Sequence, residues 1–189
     1  MRPKEFNRNS VLEKCITLFW TEGYNATGIQ EIVTQTGVNR YSLYEEFGNK
    51  EGILLASMEL YNKRHVPFEL LAKPSPIREN LFQFYNGFFK PHEANGRPIG
   101  CYIATLSMEL RDLEEMQPFF NTYLDLLKQN FAQLLEKKSN LSKDRLTTVS
   151  EQPTFFYCTS MSMFVIFPQK ETEKRLHDNL NLITKCLDK

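Results

Sequence analysis

The sequence predicts an all-α protein of about nine helices, with a three-helix head over residues 1–50 and a larger helical unit over residues 51–189. Three observations lead there. Apolar residues recur at helical spacing along most of the chain. Residues that stop or cap helices stand at the gaps in that pattern, with Gly23, Gly37 and Gly48 as stops and Asn39 and Asn49 as caps. No alternating apolar and polar run survives as a strand once these helices are placed.

In the head, Val11, Leu12, Cys15, Ile16 and Phe19 form one buried helical face, and Gly23 closes that helix. Thr27 followed by Gln30 matches a capping box, which predicts that Thr27 opens the second helix. Ile29, Ile32 and Val33 give that helix its inner face, Gly37 ends it, and Val38 plugs the turn into the core. Asn39 caps the third helix, in which Leu43 and Phe47 face inward. Arg40, Tyr41, Ser42, Tyr44 and Glu45 are left on its outer faces. Gly48 ends it, and Asn49 caps the next, with Lys50 and Glu51 in the first turn.

Two short helices around a tight turn are the outline of a helix-turn-helix, which sets one helix in the major groove of DNA. Short amphipathic helices separated by glycine also occur without that role. Charge does not decide between the two. Residues 1–64 carry eight Lys plus Arg against eight Glu, whereas a DNA-reading head usually has a basic footprint. Phosphate contacts must then be few and well placed.

After the head, the helical pattern runs from Lys50 towards Leu71, with Pro67 as its first break and Pro74 to Pro76 as clear punctuation. Ile77, Leu81, Phe84, Tyr85, Phe88 and Phe89 make a helix with a wide aromatic stripe. Residues 92–100 read as a loop turning at Asn95-Gly96, and 101–110 as an apolar helix. Pro118 suits the first turn of a longer helix reaching about Lys138. Ser142 caps the next, kinked at Pro153, and 171–187 form the last.

Composition is that of an ordinary globular protein: 189 residues, 41% hydrophobic, 24% charged, net charge zero. No apolar run approaches a membrane span, the longest being Met163 to Phe167, and MRPKEFNRN lacks the apolar core of a signal peptide. A cytoplasmic protein is expected. His65, His92 and His177 are scattered, and no Gly-rich phosphate loop is present, so the pattern does not suggest an enzyme. No metal and no cofactor are expected, because Cys15, Cys101, Cys158 and Cys186 match neither a zinc pattern nor a disulfide framework. Cys15 belongs to the buried face of the first helix. Cys101 follows Gly100 at the start of a helix, where the dipole can lower a thiol pKa. A redox-responsive thiol and plain packing both remain open readings for it.

The stretch GYNATGIQEIVTQTGVNRYSLYEEFGNKEGILLASMELY resembles the N-terminal domain of the TetR-type (tetracycline-repressor-like) bacterial transcription regulators. Phe19, Gly23-Tyr24, Thr27 to Val33, Gly37-Val38, Ser42-Leu43-Tyr44, Phe47 and Lys50-Glu51 carry the resemblance, which spans about residues 9–62. Beyond them only length and helical character match. The resemblance implies that Thr27 and Gly28 open a helix whose amides dock a phosphate, and that Asn39, Arg40 and Tyr41 meet base edges. Arg40 would donate to guanine, and Tyr41 would pack on a thymine methyl. Ser42, Tyr44 and Lys50 match phosphate-contacting positions, with partial burial as the other reading of Tyr44. The family often has His where this chain has Glu46. Glu46 is read as facing solvent or paired with a base such as Lys50, and the side on which Glu45 lies stays open.

The resemblance further implies a double-stranded DNA operator as partner, a small-molecule effector, and a homodimer built on the last two helices. The effector would sit in an apolar pocket drawn from Phe84, Tyr85, Phe88, Cys101, Tyr102, Met108, Phe120, Tyr123, Tyr157 and Met161. Core filling is the plainer use of each aromatic. In some members of the family a cysteine placed like Cys101 senses electrophiles or oxidants. Phe155, Phe156, Thr159, Met163 and Phe164 offer one apolar face for the dimer, and Leu176, Leu180, Ile183 and Leu187 the other, with His177 and Lys185 on polar faces. Closing the monomer core is the competing use of these helices. The whole then reads as a ligand-responsive regulator, most simply a repressor. The competing class is a helical small-molecule-binding protein with no DNA role.

Overall fold

The computed structural model describes residues 6–87 and 101–138, together with Ser142, Lys174, Arg175, His177, Asp178, Leu180 and Asn181. These residues hold seven α-helices, two short 3-10 turns and no strand, in line with the all-α reading. Helix α1 spans Arg8–Glu22, α2 Ile29–Thr36, α3 Arg40–Phe47 and α4 Lys50–His65. Helix α5 spans Ile77–Asn86, α6 Tyr102–Glu109 and α7 Gln117–Lys138. Described positions between 174 and 181 are also helical. Ser142 is described only as a single residue, and the kink at Pro153 lies outside the described residues.

Packing follows the apolar faces. Helix α1 lies against α2, α4 and α6. Leu12, Cys15, Phe19, Ile32, Leu43, Ile53 and Leu54 are fully or almost fully buried in one continuous core. Burial pushes the Cys15 thiol up to about 12, which suits an inert core residue.

Two helix starts differ from expectation. Thr27 does not cap α2. The cap is Gly28, without a side-chain bond. The Thr27 hydroxyl instead donates to the Gly23 carbonyl at 2.6 Å, as does its N–H at 3.2 Å. The residue is buried and locks the α1–α2 turn. Asn39 and Asn49 do cap, their side chains accepting from the amides of Ser42 at 2.9 Å and Gly52 at 2.8 Å. Helix α4 stops at His65 rather than running on to Leu71, because the residue before a proline is driven to extended backbone, and Val66 adopts it.

Above the head, α4 and α6 meet over a buried polar and aromatic cluster. Tyr61 and Tyr102 lie 5.2 Å apart, with Trp20 edge-on to Tyr61 at 5.5 Å. The Ser57 hydroxyl donates to the Leu54 carbonyl at 2.6 Å, so Tyr102 donates to Ser57 across 2.7 Å. Farther out, Phe84 and Tyr85 of α5 pack on Phe131 of α7. Buried Asn80 donates to the carbonyls of Leu70 and Lys73, tying the 66–76 connection to α5. His177, expected on a polar face, stacks on Phe82 at 4.3 Å beside Arg78.

Candidate nucleic-acid interface

Helix α3 has only eight residues, too few to be stable alone. Leu43 and Phe47 anchor it in the core, and Gly37, in left-handed conformation at φ 74°, turns the chain into it. The Cα of Gly52 lies so close to α3 that a Cβ there would overlap the Phe47 carbonyl oxygen. The inner face is thereby fixed and the outer face is presented. Tyr41 is 77% exposed, Arg40 is exposed, and Arg40, Tyr41, Tyr44 and Glu45 line an open concavity. The Arg40 guanidinium stacks over the half-buried Tyr44 ring at 5.0 Å. Glu45 is exposed on the same face.

Glu46 pairs with a base, as expected, and that base is Arg8. Its carboxylate accepts from Arg8 of α1 at 3.1 Å, and Arg8 also lies 5.2 Å over the Phe47 ring. One acid beside α3 is therefore balanced within the head. Gly28 is exposed at the start of α2. Thr27, with its hydroxyl and amide both committed to Gly23, supports that turn and offers no donor to a phosphate. Ser42 is half-buried, with its amide committed to Asn39.

Lys50 sits at the start of α4 and turns towards Tyr24. Its ammonium donates to the Tyr24 carbonyl at 2.7 Å and lies 4.0 Å from the centre of the Tyr24 ring. Burial lowers the Lys50 pKa, while Glu51 and Glu109 act in the opposite direction. The Tyr24 hydroxyl donates to Glu51 at 3.0 Å. Burial, then the bond and charge of Glu51, raise the Tyr24 pKa well above the ordinary tyrosine range.

Glu109 was not foreseen. Its two carboxylate oxygens accept from the backbone amides of Tyr24 at 3.1 Å and Asn25 at 2.6 Å, 85 and 84 positions away. No local periodicity carries such a signal.

Of the residues named for an effector pocket, Phe84, Tyr85, Cys101, Tyr102 and Tyr123 belong to one continuous core, and Phe120 packs against it. Cys101 and Tyr102 are buried in the α4–α6 junction, where the Cys101 thiol hydrogen-bonds the Tyr61 hydroxyl. Phe84 and Tyr85 are buried against α7. Tyr123 is buried and Phe120 half-buried, both beside Phe119. Met108 is 67% exposed. Phe88, Tyr157 and Met161 lie outside the described residues, as do Phe155, Phe156, Thr159, Met163, Phe164, Leu176, Ile183, Lys185 and Leu187 of the expected dimer face.

Residues 11–57 match the model of the bacterial regulatory proteins of the tetR family. The repressor ComR of Escherichia coli is 31% identical over 119 residues, a match covering 59% of this chain and 57% of ComR. The chain thus spans little more than half of ComR's length. YezE of Bacillus subtilis, an HTH-type transcriptional regulator, is 24% identical over 99% of both chains. A cysteine-substituted form of the TetR-family regulator CifR, solved with a 26 bp operator duplex, superposes with a TM-score of 0.74. That match has 18% identity and covers 95% of this chain and 98% of CifR, so it speaks for the fold. The head, the all-helical body and these relatives agree: residues 11–57 match the tetR family of bacterial regulatory proteins, and the fold of the chain is that of solved TetR-family regulators.

Proposed function

We propose that this chain is a ligand-responsive repressor. It binds a near-palindromic operator as a homodimer, residues 1–50 reading DNA and residues 51–189 binding the effector and the second copy. A small apolar or reactive effector releases it. The observation that carries the reading is the outer face of α3, where Arg40, Tyr41, Tyr44 and Glu45 line an open concavity on a helix anchored from behind by Leu43 and Phe47. Arg40 is the donor to guanine O6 and N7, and Tyr41 packs on a thymine methyl. Asn39 and Ser42 flank them. Gly28 at the start of α2 and Lys50 at the start of α4 take phosphates on either side. The role of ComR as a repressor and the operator complex of CifR support this reading.

Selection of duplexes from a random library, followed by gel shift on DNA upstream of the chain's own gene, tests it. The expected product is two inverted half-sites about one helical turn apart. Binding no tighter than to random duplex at about 0.15 M salt sinks the proposal and favours a helical binding protein without a DNA role.

A second reading concerns Cys101, whose thiol lies against the Tyr61 hydroxyl in a filled junction. Any adduct on this sulfur adds volume where α4 and α6 touch, so modification and displacement of α6 go together. Alkylating the reduced protein should lower operator affinity in the wild type and not in Cys101→Ser. Unchanged affinity after stoichiometric labelling of Cys101 rules the thiol out as a sensor.

A further inference from the structure

We infer that Glu109 is a positioning residue for DNA binding: from α6 its carboxylate fixes the α1–α2 turn, and through that turn the Lys50 ammonium. Contact between the head and a phosphate then depends on where α6 stands. The inference rests on the reading of Lys50 as a phosphate contact.

The amides of Tyr24 and Asn25 follow the end of α1, and each donates to one oxygen of Glu109, at 3.1 and 2.6 Å. Such charge-assisted bonds are stronger than neutral ones and set both partners in one geometry. Gly23 makes the approach possible. It adopts φ 90°, and a Cβ there would stand 3.3 Å from the carboxylate. A side chain at 23 would strain the backbone and crowd the carboxylate together.

The other side of the Tyr24 residue carries Lys50. Its carbonyl accepts from the ammonium at 2.7 Å, its ring lies beneath the charge at 4.0 Å, and its hydroxyl holds Glu51 of the same helix turn. Tyr24 is thus gripped by α6 through its amide and by α4 through its carbonyl, ring and hydroxyl, while its ring also packs edge-on against Phe19 of α1. An ammonium has three N–H donors, and the one spent on Tyr24 aims the remaining two. Thr27 closes the same turn onto Gly23 and so carries its position to the start of α2.

Helix α6 is short enough to transmit a shift from one end to the other. Eight residues rise about 12 Å. Its first residue, Tyr102, is buried against Tyr61 and Ser57 of α4, and its last is Glu109. A displacement at the buried end moves the carboxylate, and the turn either follows or loses two bonds.

The test uses the full chain, a duplex selected by the wild type, and the salt dependence of binding in Lys50→Ala, Glu109→Ala, Glu109→Gln and the double Lys50→Ala/Glu109→Ala variant. Lys50→Ala should reduce the slope of log K against log salt by about one. Glu109→Ala should reproduce that reduction and weaken binding about tenfold at 0.1 M salt. The double variant should bind no worse than Lys50→Ala alone, since the two residues act in series. Glu109→Gln retains one acceptor, should recover part of the loss, and carries the test if Glu109→Ala fails to fold. An unchanged slope in the Glu109 variants, or losses that add in full, overturns the inference while leaving Lys50 in place. An unchanged slope in Lys50→Ala removes the phosphate role and the inference with it.

Discussion

Arg40 and Tyr44 stand four residues apart on α3, so the helix itself brings the guanidinium over the ring. This gives Tyr44 two candidate uses that substitution separates. As a platform for Arg40, Tyr44→Phe keeps the ring and should keep the base preference, whereas Tyr44→Leu should weaken preference at one base pair per half-site about tenfold. As a phosphate contact through its hydroxyl, Tyr44→Phe should weaken binding to all sequences alike. A selection experiment on both variants reads the difference directly, and Arg40→Ala should match the Tyr44→Leu pattern. The two adjacent acids also part company here. Glu46 is balanced by Arg8, whereas Glu45 faces the same open surface as Arg40, where a carboxylate can accept from cytosine N4.

At the scale of elements, α2 and α3 are eight residues each, and neither can persist without the core beneath it. Leu43 is fully buried at that contact, so Leu43→Ala should destabilise the protein by about 2–5 kcal/mol and lower the thermal midpoint. Gly52 is the more selective probe. A Cβ at that position meets the Phe47 carbonyl, which belongs to backbone and cannot swing aside. Gly52→Ala should therefore push α3 away from α4 and cost DNA binding even where circular dichroism shows the helices intact. Operator binding equal to wild type would show that the α3–α4 approach is looser than these positions imply.

For the whole molecule, a neutral chain with a neutral head has no broad basic surface to lean on. Two weak readers joined with fixed spacing gain affinity that one lacks, because the second binding event is intramolecular. Sedimentation should therefore find a particle of twice the 22.2 kDa chain mass, and dilution that splits it should abolish operator binding at the same concentration. A monomer that still gel-shifts at full affinity would refute the dimeric reader. Among the described residues no helix is long and apolar enough to cross a membrane.

The sequence alone determined the helices of the head. Their signals are local: Asn39 and Asn49 as caps, Gly37 and Gly48 as stops, and a core stripe from Val11 to Phe19, all acting within a turn or two of the residues that carry them. It also marked Arg40, Tyr41 and Tyr44 as outward, since the positions of Leu43 and Phe47 leave them no inner face. Tertiary structure decided what depends on distant partners. Thr27 has the sequence of a cap but is buried under its own turn, its hydroxyl donating to the carbonyl of Gly23 four residues back. Glu46 found its base in Arg8, 38 positions away. The grip of Glu109 on Tyr24 and Asn25 joins groups over 80 residues apart, and one partner is backbone, which has no side-chain identity to read. Local spacing fixes caps and faces; only the packed chain fixes which charge meets which amide.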